Sequence, residues 1–197
     1  MKTRNFTYLA IAAMLANALD ASAFDFVLDG IYYNITGYYT VEVTSKTPYT
    51  GCYSGWVSIP NCVTYQDMTY EVTRIGDSAF SYCRDLTDVS IPPSVQEIGT
   101  CAFNFCCNLT SVTIPESVTY IENMAFTCCT SLTNVSSHAI VPPRILCTTF
   151  DSSFFSNATL VVPWGTLEDY QRANYWENVK DIQEMPRERV HGARHCK

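Results

Sequence analysis

A 23-residue repeat constrains this chain more than any other sequence feature. Between positions 75 and 136 the same pattern of apolar and polar residues occurs three times, so that equivalent positions recur at one constant spacing. A fixed period of about 20 to 50 residues is typical of a solenoid, because a single unit cannot bury its own apolar side and must stack on its neighbours. The recurring side chains that we predict to form the core include Phe80, Phe103 and Phe126, Cys83, Cys106 and Cys129, and Leu86, Leu109 and Leu132.

Each unit contains the signals for two short extended segments and a turn. Residues 86–92 (Leu-x-x-Val-x-Ile-Pro) predict a strand that ends at its proline, because proline has no N–H to continue a strand ladder. Residues 95–98 (Val-x-x-Ile) predict a second extended piece, and residues 79–80 (Ala-Phe) predict a tight turn whose phenylalanine fills the interior. The third unit departs from the pattern, since Glu122 replaces a glycine and Ser137 replaces an isoleucine.

The N-terminal segment, residues 1–23, has the organisation of a secretory signal peptide. Lys2 and Arg4 form a basic start, residues 6–19 are mostly apolar, and residues 21–23 (Ala-Ser-Ala) have the spacing of a cleavage site. The apolar run is short and interrupted for a membrane span, and an uncleaved anchor is the alternative. We therefore predict that the chain is exported, that it is secreted or located at the cell surface, and that it does not insert into a membrane after cleavage.

The exported part of the chain is acidic. The formal charge of −7 becomes −8 when Lys2, Arg4 and Asp20 leave with the signal peptide. An acidic body without a basic face is evidence against nucleic acid and anionic membranes as partners. The polar tail, residues 186–197, is predicted to be disordered because it is terminal and has little apolar surface.

Ten cysteines in an exported chain suggest a disulfide framework. The three cysteines on the repeat are an exception, because one position in successive turns suits a small side chain that packs as core. We predict that these three are buried thiols. The other seven share no register, so some can pair, and the sequence does not determine which of them do: Cys52, Cys62, Cys101, Cys107, Cys128, Cys147 and Cys196.

The segment before the array, residues 24–55, is predicted to be an N-terminal β cap. Two short apolar runs flank Asp29-Gly30, which is a strong hairpin signal, and residues 40–44 alternate as a third strand. Such a hairpin would cover the open end of a solenoid and its unpaired strand edges.

Residues 56–140 are predicted to be the repeat array and residues 141–185 the C-terminal cap. The first turn of the array is degenerate, and a short insertion that resembles a small hairpin separates it from the regular turns. Within the C-terminal cap, a short helix is predicted to begin at Thr166, whose hydroxyl is placed to cap it.

The full pattern I-G-x-x-A-F-x-x-C-x-x-L-T-x-V-x-I-P-x-S-V resembles the BspA-type leucine-rich repeat of exported bacterial surface and secreted proteins. Residues 160–165 (Leu-Val-Val-Pro-Trp-Gly) and 175–182 are similar to the closing segment of that family. The resemblance implies a β-rich, right-handed solenoid of the α/β leucine-rich-repeat class with about four to five turns. It also implies a protein-binding module without enzymatic activity, with adhesion to a host or neighbouring cell among the family's roles.

The outward positions of the predicted strands are the candidate partner-binding residues. Side chains alternate along a strand, so the positions between the inward apolar residues point outward and stack into two polar columns. One column contains Asp88, Ser111 and Asn134, and the other contains Ser90, Thr113 and Ser136. We expect a protein partner on a host or neighbouring-cell surface to bind these columns. The alternative is the solvated face of a purely structural spacer.

The signals for catalysis and metal binding are weak. Cys147 with His138 is a dyad that a secreted thiol enzyme or hydrolase could use, but it lacks a local signature and an orienting partner. Residues 191–196 (His-Gly-Ala-Arg-His-Cys) contain metal-ligating side chains, but the glycine disfavours the helix that would bring them together. No phosphate-binding or dinucleotide fingerprint is present. We therefore predict no catalytic residue, no metal and no cofactor.

Overall fold

The structure is a computed structural model that describes residues 24–47, 50–51 and 53–187. The predicted signal peptide, Cys52 and Cys196 lie outside the described residues, as does the predicted tail from residue 188 onward. Residues 191–196, whose histidine and cysteine side chains are able to ligate a metal but predict no site, lie outside them as well.

The described chain begins with three antiparallel strands. They are β1 (Phe26–Leu28), β2 (Ile31–Ile35) and β3 (Thr40–Thr44), and β2 pairs with both of its neighbours. The turn between β1 and β2 uses Asp29 at φ 50° and Gly30 at φ 80°. Positive φ at both central residues matches the twist of a two-residue hairpin, which explains the Asp-Gly signal.

One side of the solenoid is a seven-stranded sheet. The strand β3 continues into it by parallel pairing with β6 (Met68–Ile75), and then come β8 (Glu97–Ile98) and β10 (Tyr120–Ile121). The strand β5 (Cys62–Tyr65) pairs antiparallel with β6, so the insertion forms a hairpin at the edge of the first turn. Glu97 pairs with Arg74 of the preceding turn and with Tyr120 of the following turn.

The other side of the solenoid is a row of parallel strands. The strands β4 (Gly55–Ser58) and β7 (Leu86–Ser90) pair with each other, and β7 lies beside β9 (Ser111–Ile114). The strands β9, β11 (Asn134–Ser137), β12 (Thr159–Val162) and β13 (Asp181–Glu184) form a four-stranded sheet. The segment predicted as the C-terminal cap therefore supplies two strands to this row.

The closing segment also contains three short helices. They are α1 (Ser152–Asn157), α2 (Leu167–Arg172) and a 3₁₀ helix (Trp176–Asn178). The predicted capping role of Thr166 is wrong, because its hydroxyl donates to the carbonyl oxygen of Pro163 at 2.8 Å. The carboxylate of Glu184 instead accepts from the backbone N–H groups of Gly165 at 2.8 Å and Leu167 at 3.4 Å.

Aromatic rings stack along the solenoid axis and form the centre of the core. Phe80, Phe103 and Phe126 stack with centroids 4.9 Å and 5.1 Å apart. Tyr53 extends the stack towards the first turn, and Phe150 and Phe154 extend it towards the last. The predicted leucines Leu86, Leu109 and Leu132 are buried beside these rings. Each turn therefore buries its phenylalanine against the phenylalanine of the next turn.

The repeat cysteines are buried between the turns. The thiol of Cys106 donates to the carbonyl oxygen of Phe80 at 3.1 Å, and that of Cys129 donates to Phe103 at 3.0 Å. The sulfur of Cys83 accepts from the N–H of Tyr53 at 3.4 Å. Burial raises the pKa of Cys106 to about 12, so this thiol stays protonated. Free thiols among the described residues include Cys62, Cys101, Cys106, Cys107, Cys128, Cys129 and Cys147.

Two positions in each regular turn have a left-handed backbone without being glycine. They recur with the period of the repeat at Ser78, Cys101 and Met124, and at Tyr82, Phe105 and Cys128. Positive φ is uncommon for such residues. The stacked turns hold these positions in place, because Phe105 N–H and Tyr82 N–H donate to carbonyl groups of the following turn.

Candidate functional site

The six candidate partner-binding residues lie on the row of parallel strands. Ser111 and Asn134 are paired in register across β9 and β11, as are Thr113 and Ser136. The valines between these positions, Val89, Val112 and Val135, are buried in the core. Strand alternation therefore presents the candidate side chains on the face opposite the core. Asp88, Ser90, Thr113 and Asn134 are exposed, and Ser111 and Ser136 are partly buried.

Strand pairing extends both columns beyond the regular repeats. We call the two columns together the column face, and its twelve residues are as follows. The first column is Trp56, Asp88, Ser111, Asn134, Thr159 and Asp181, and the second is Ser58, Ser90, Thr113, Ser136, Val161 and Gln183.

The side chains of the column face are small, polar or acidic, apart from the apolar Trp56 and Val161. None of its twelve residues is a lysine or an arginine. Asp88 accepts a hydrogen bond from the N–H of Val89 at 2.8 Å. Asp181 accepts from the hydroxyl of Thr159 at 2.7 Å and from the amide of Gln183, and these bonds lower the pKa of its carboxyl group. Both carboxylates are thus held in place by hydrogen bonds.

Further aromatic and cationic groups lie on the turns beside the repeat cysteines. The rings of Tyr82 and Phe105 stack with centroids 4.6 Å apart, and the guanidinium of Arg84 lies 6.0 Å from the Tyr82 ring centroid. Tyr82 and Phe105 are partly buried in this arrangement. They contact each other and lie off the column face, so they do not add to it.

The structure does not bring Cys147 and His138 into a dyad. His138 follows β11, and its backbone N–H donates to the carbonyl oxygen of Ile114 at 2.9 Å. Cys147 lies in the turn that precedes Phe150, and both side chains are exposed. Within the described part of the chain, no hydrogen bond joins the two residues.

The main charged cluster surrounds Arg74 on the seven-stranded sheet. Its guanidinium forms ion pairs with Glu42 at 2.9 Å, Asp77 at 2.7 Å and Glu122 at 2.9 Å, and Glu97 lies at 3.5 Å. Burial raises the pKa of Glu122, but hydrogen bonds from Glu97 and Thr100 and the nearby Arg74 outweigh it and hold this pKa at about 2. Hydrogen bonding to Glu122 raises the pKa of Glu97. The cluster is internally satisfied and serves to join turns.

Residues 24–47, 50–51 and 53–187 contain no group of three or more His, Cys, Asp or Glu side chains arranged to hold a metal ion. None of the helices in the same ranges has the length and hydrophobicity needed to cross a bilayer.

Comparison with known proteins identifies the repeat. A model of the BspA type leucine rich repeat region matches residues 52–162 in six copies. The chain belongs to the BspA-type leucine-rich repeat family. The resemblance predicted from the repeat pattern is therefore confirmed. The six copies begin at residue 52, within the segment predicted as the N-terminal cap, and end at Val162, the last residue of β12.

Crystal structures of bacterial leucine-rich repeat proteins share the fold of this BspA-type chain. One from Bacteroides capillosus has a TM-score of 0.56 at 22% identity, over 81% of this chain and 97% of that chain. One from Bacteroides ovatus has a TM-score of 0.53 at 29% identity, over 81% of this chain and 41% of that chain. A leucine rich cell surface protein from Faecalibacterium prausnitzii has a TM-score of 0.51 at 23% identity, over 81% of this chain and 42% of that chain. No functionally curated protein matches the sequence.

Half of the column face of this BspA-type protein lies outside the six residues predicted from the sequence. A signal for Trp56 was available, because residues 57–60 (Val-Ser-Ile-Pro) match residues 89–92, which places Trp56 one step before the match, like Asp88. No comparable signal identified Asp181, since the partners Asn134, Thr159 and Asp181 are unevenly spaced along the chain. The irregular spacing hides these strands from a search for a fixed period.

Proposed function

We propose that this protein is an exported, non-enzymatic module that binds a protein partner through the column face. The observation that carries the proposal is the arrangement of the row of strands. Its inner apolar side chains pack in or against the core, while its outer side chains form two aligned columns across six strands. Leucine-rich repeats generally mediate protein binding, and family membership supports the same role.

Export and location at the cell surface belong to the same proposal. Residues 1–23 have the basic start, apolar run and small-residue cleavage site of a signal peptide. One structural relative is a leucine rich cell surface protein, and the family that the repeat pattern resembles includes adhesins. Adhesion to a host or neighbouring cell is therefore the specific role that we propose for the column face.

The test is a binding screen of the full chain against host and neighbouring-cell surface proteins. A variant that carries Asp88→Arg, Ser111→Arg and Asn134→Arg blocks the first column with long charged side chains. The matched control carries Glu177→Arg, Ser153→Arg and Asn174→Arg, which replaces an acid, a serine and an asparagine at exposed positions away from the face.

We expect the protein to capture a surface protein, the first variant to lose it and the control to retain it. Equal binding by both variants would show that the partner uses another surface. The absence of any captured protein would favour a structural spacer.

A further inference from the structure

The column face has an acidic excess without cations of its own. Residues 24–187 contain seventeen Asp and Glu against seven Lys and Arg. One of the seven cations, Arg74, is already surrounded by four carboxylates on the other sheet. Lys180, which precedes β13, lies outside the two columns. A basic surface is thus electrostatically complementary to this face.

Trp56 is the one large aromatic residue on the column face. Its side chain is 66% exposed, although its neighbour Val57 packs against the core. Tryptophan that is buried in a protein interface is enriched among the residues that dominate binding energy. The β4 strand thus presents an apolar anchor at the first position of a polar column.

Trp56 and Asp88 are register partners, so an indole ring and a carboxylate lie side by side. Paired strands are about 4.8 Å apart, which places both side chains within reach of one cation. A guanidinium or ammonium group stacked on an indole face gains a cation–π interaction, and the adjacent carboxylate adds an ion pair. The pair has the composition of a site for an arginine or lysine side chain.

We infer that the column face binds an extended basic segment of a partner protein, with one arginine or lysine held between Trp56 and Asp88. This inference rests on the proposed function and specifies the chemistry of the partner. The hydroxyl and amide groups of the middle strands, Ser111, Asn134 and Thr159, offer hydrogen bonds to the backbone of the segment.

Asp181 sets the position of a second cation. It lies four strands beyond Asp88 in the same column, which corresponds to about 19 Å at about 4.8 Å per strand. An extended chain advances about 3.3 Å per residue, so the two cations of the partner are about six residues apart. Bonds from Thr159 and Gln183 orient the Asp181 carboxylate for this contact.

The probe is a capped twelve-residue glycine-serine peptide with two arginines six residues apart, titrated into the full chain. Two further peptides carry the arginines two residues apart or replace both with glutamate. The variants Trp56→Ala and Asp88→Asn test the site. Their matched controls are Trp164→Ala, an exposed tryptophan in the closing segment, and Glu116→Gln, an exposed acid on a loop.

We expect the six-residue spacing to bind most tightly and the glutamate peptide to bind at least about tenfold more weakly, because its charges repel the face. Trp56→Ala and Asp88→Asn each weaken binding about fivefold to tenfold, while both controls stay within about twofold. Binding weakens as salt is raised from about 0.05 M to about 0.5 M NaCl, because the contacts are ionic and solvent-exposed.

The inference is overturned if the arginine peptides do not bind, if the glutamate peptide binds equally well, or if the controls lose as much affinity as the site variants. Binding of a neutral oligosaccharide such as cellohexaose, lost in Trp56→Ala, would assign the face to glycans and also overturn it. These outcomes are separate from the screen of surface proteins. A partner that is captured and lost in the triple-arginine variant keeps the proposed function even if the peptides fail.

Discussion

The guanidinium of Arg74 lies 2.9 Å from the carboxylate of Glu122, although the two residues are 48 positions apart in the chain. Glu122 occupies the position of Gly76 and Gly99 in the preceding turns. A side chain at those two positions would crowd its neighbours, because a Cβ on Gly76 would lie 2.8 Å from the backbone oxygen of Val43 and one on Gly99 would lie 2.7 Å from the Arg74 guanidinium. The break in the repeat at Glu122 is thus the place where the chain supplies a carboxylate to Arg74.

The substitution Glu122→Gly restores the repeat pattern and is expected to destabilise the protein. It removes the ion pair with Arg74 and the 2.6 Å hydrogen bond from Thr100, at an expected cost of about 1 to 3 kcal/mol in the free energy of unfolding. Urea unfolding measures the loss. The free energy of unfolding of Glu122→Gln should lie between those of the wild type and Glu122→Gly. An unchanged or higher stability for Glu122→Gly would show that the ion pair contributes nothing.

Replacing Arg74 with methionine should make stability strongly dependent on pH. At pH 7 the variant leaves four carboxylates close together without a cation, which costs about 3 kcal/mol. In the wild type, the pKa of Glu122 is about 2, below its usual value of 4.5. The stability that Glu122 contributes is therefore fully present above about pH 4.5 and is lost as the pH falls towards about 2. In the variant, repulsion raises the carboxyl pKa values, so protonation restores stability on acidification.

We expect the difference between wild type and Arg74→Met to shrink between pH 7 and pH 4 in urea unfolding. The control is Arg172→Met, which removes an exposed ion pair with Glu168 and should cost about 0.5 kcal/mol or less at either pH. A difference that is constant with pH would mean that Arg74 acts through packing and not through its charge.

The two glycines beside Arg74 should differ in their tolerance of alanine. A Cβ on Gly76 would lie 2.8 Å from the backbone oxygen of Val43, which cannot move without shifting β3. A Cβ on Gly99 would meet the flexible ends of the Asp77 and Arg74 side chains. Gly76→Ala should therefore cost more than Gly99→Ala, with losses of about 3 and about 1 kcal/mol. Thermal unfolding of both variants measures the order, and the reverse order would contradict this geometry.

The hydroxyl of Tyr170 joins the closing segment to the last regular turn. It lies 2.6 Å from the hydroxyl of Ser137 and donates to the carbonyl oxygen of Ala139 at 2.9 Å, in a buried environment. Tyr170→Phe should cost about 1 to 2 kcal/mol, because it leaves the buried carbonyl oxygen of Ala139 without its donor and the Ser137 hydroxyl without its acceptor. Adding Ser137→Ala should cost less in this background than in the wild type, since the two hydroxyls share one bond. Additive losses in unfolding experiments would argue against the pair.

Thiol labelling should separate the cysteines by their place in the turns. Cys62 and Cys147 are exposed and should react with iodoacetamide at pH 8 in the folded protein. Cys106 and Cys129 should react only after unfolding, because they are buried and burial raises the pKa of both thiols. Mass spectrometry of the labelled peptides gives the four rates, and urea-unfolded protein is the control.

The same labelling tests the thiol-enzyme alternative. Cys147 makes no hydrogen bond to His138 within the described residues, so His138→Ala should leave the labelling rate of Cys147 unchanged. A large decrease in that rate would show that the histidine activates the thiol and would favour a catalytic role.

The phenylalanine stack and the Asp29-Gly30 hairpin could be predicted because their signals are local or strictly periodic. The turn at Asp29-Gly30 requires positive φ, and a phenylalanine at one fixed position of every turn has only its counterparts to pack against. The left-handed backbone at Tyr82 and Phe105 could not be predicted. Neither residue favours positive φ alone, and carbonyl groups of the neighbouring turn hold it.

The sequence by itself determined that this chain stacks its repeats as successive turns around a phenylalanine core, because periodic apolar side chains can be buried only by repetition. Only the tertiary structure decided how the irregular positions are used. Glu122 meets Arg74, Ser137 meets Tyr170, and Trp56 stands beside Asp88. Each of these contacts joins residues that lie in different turns, and the stacking of the turns, not the local pattern, brings them together.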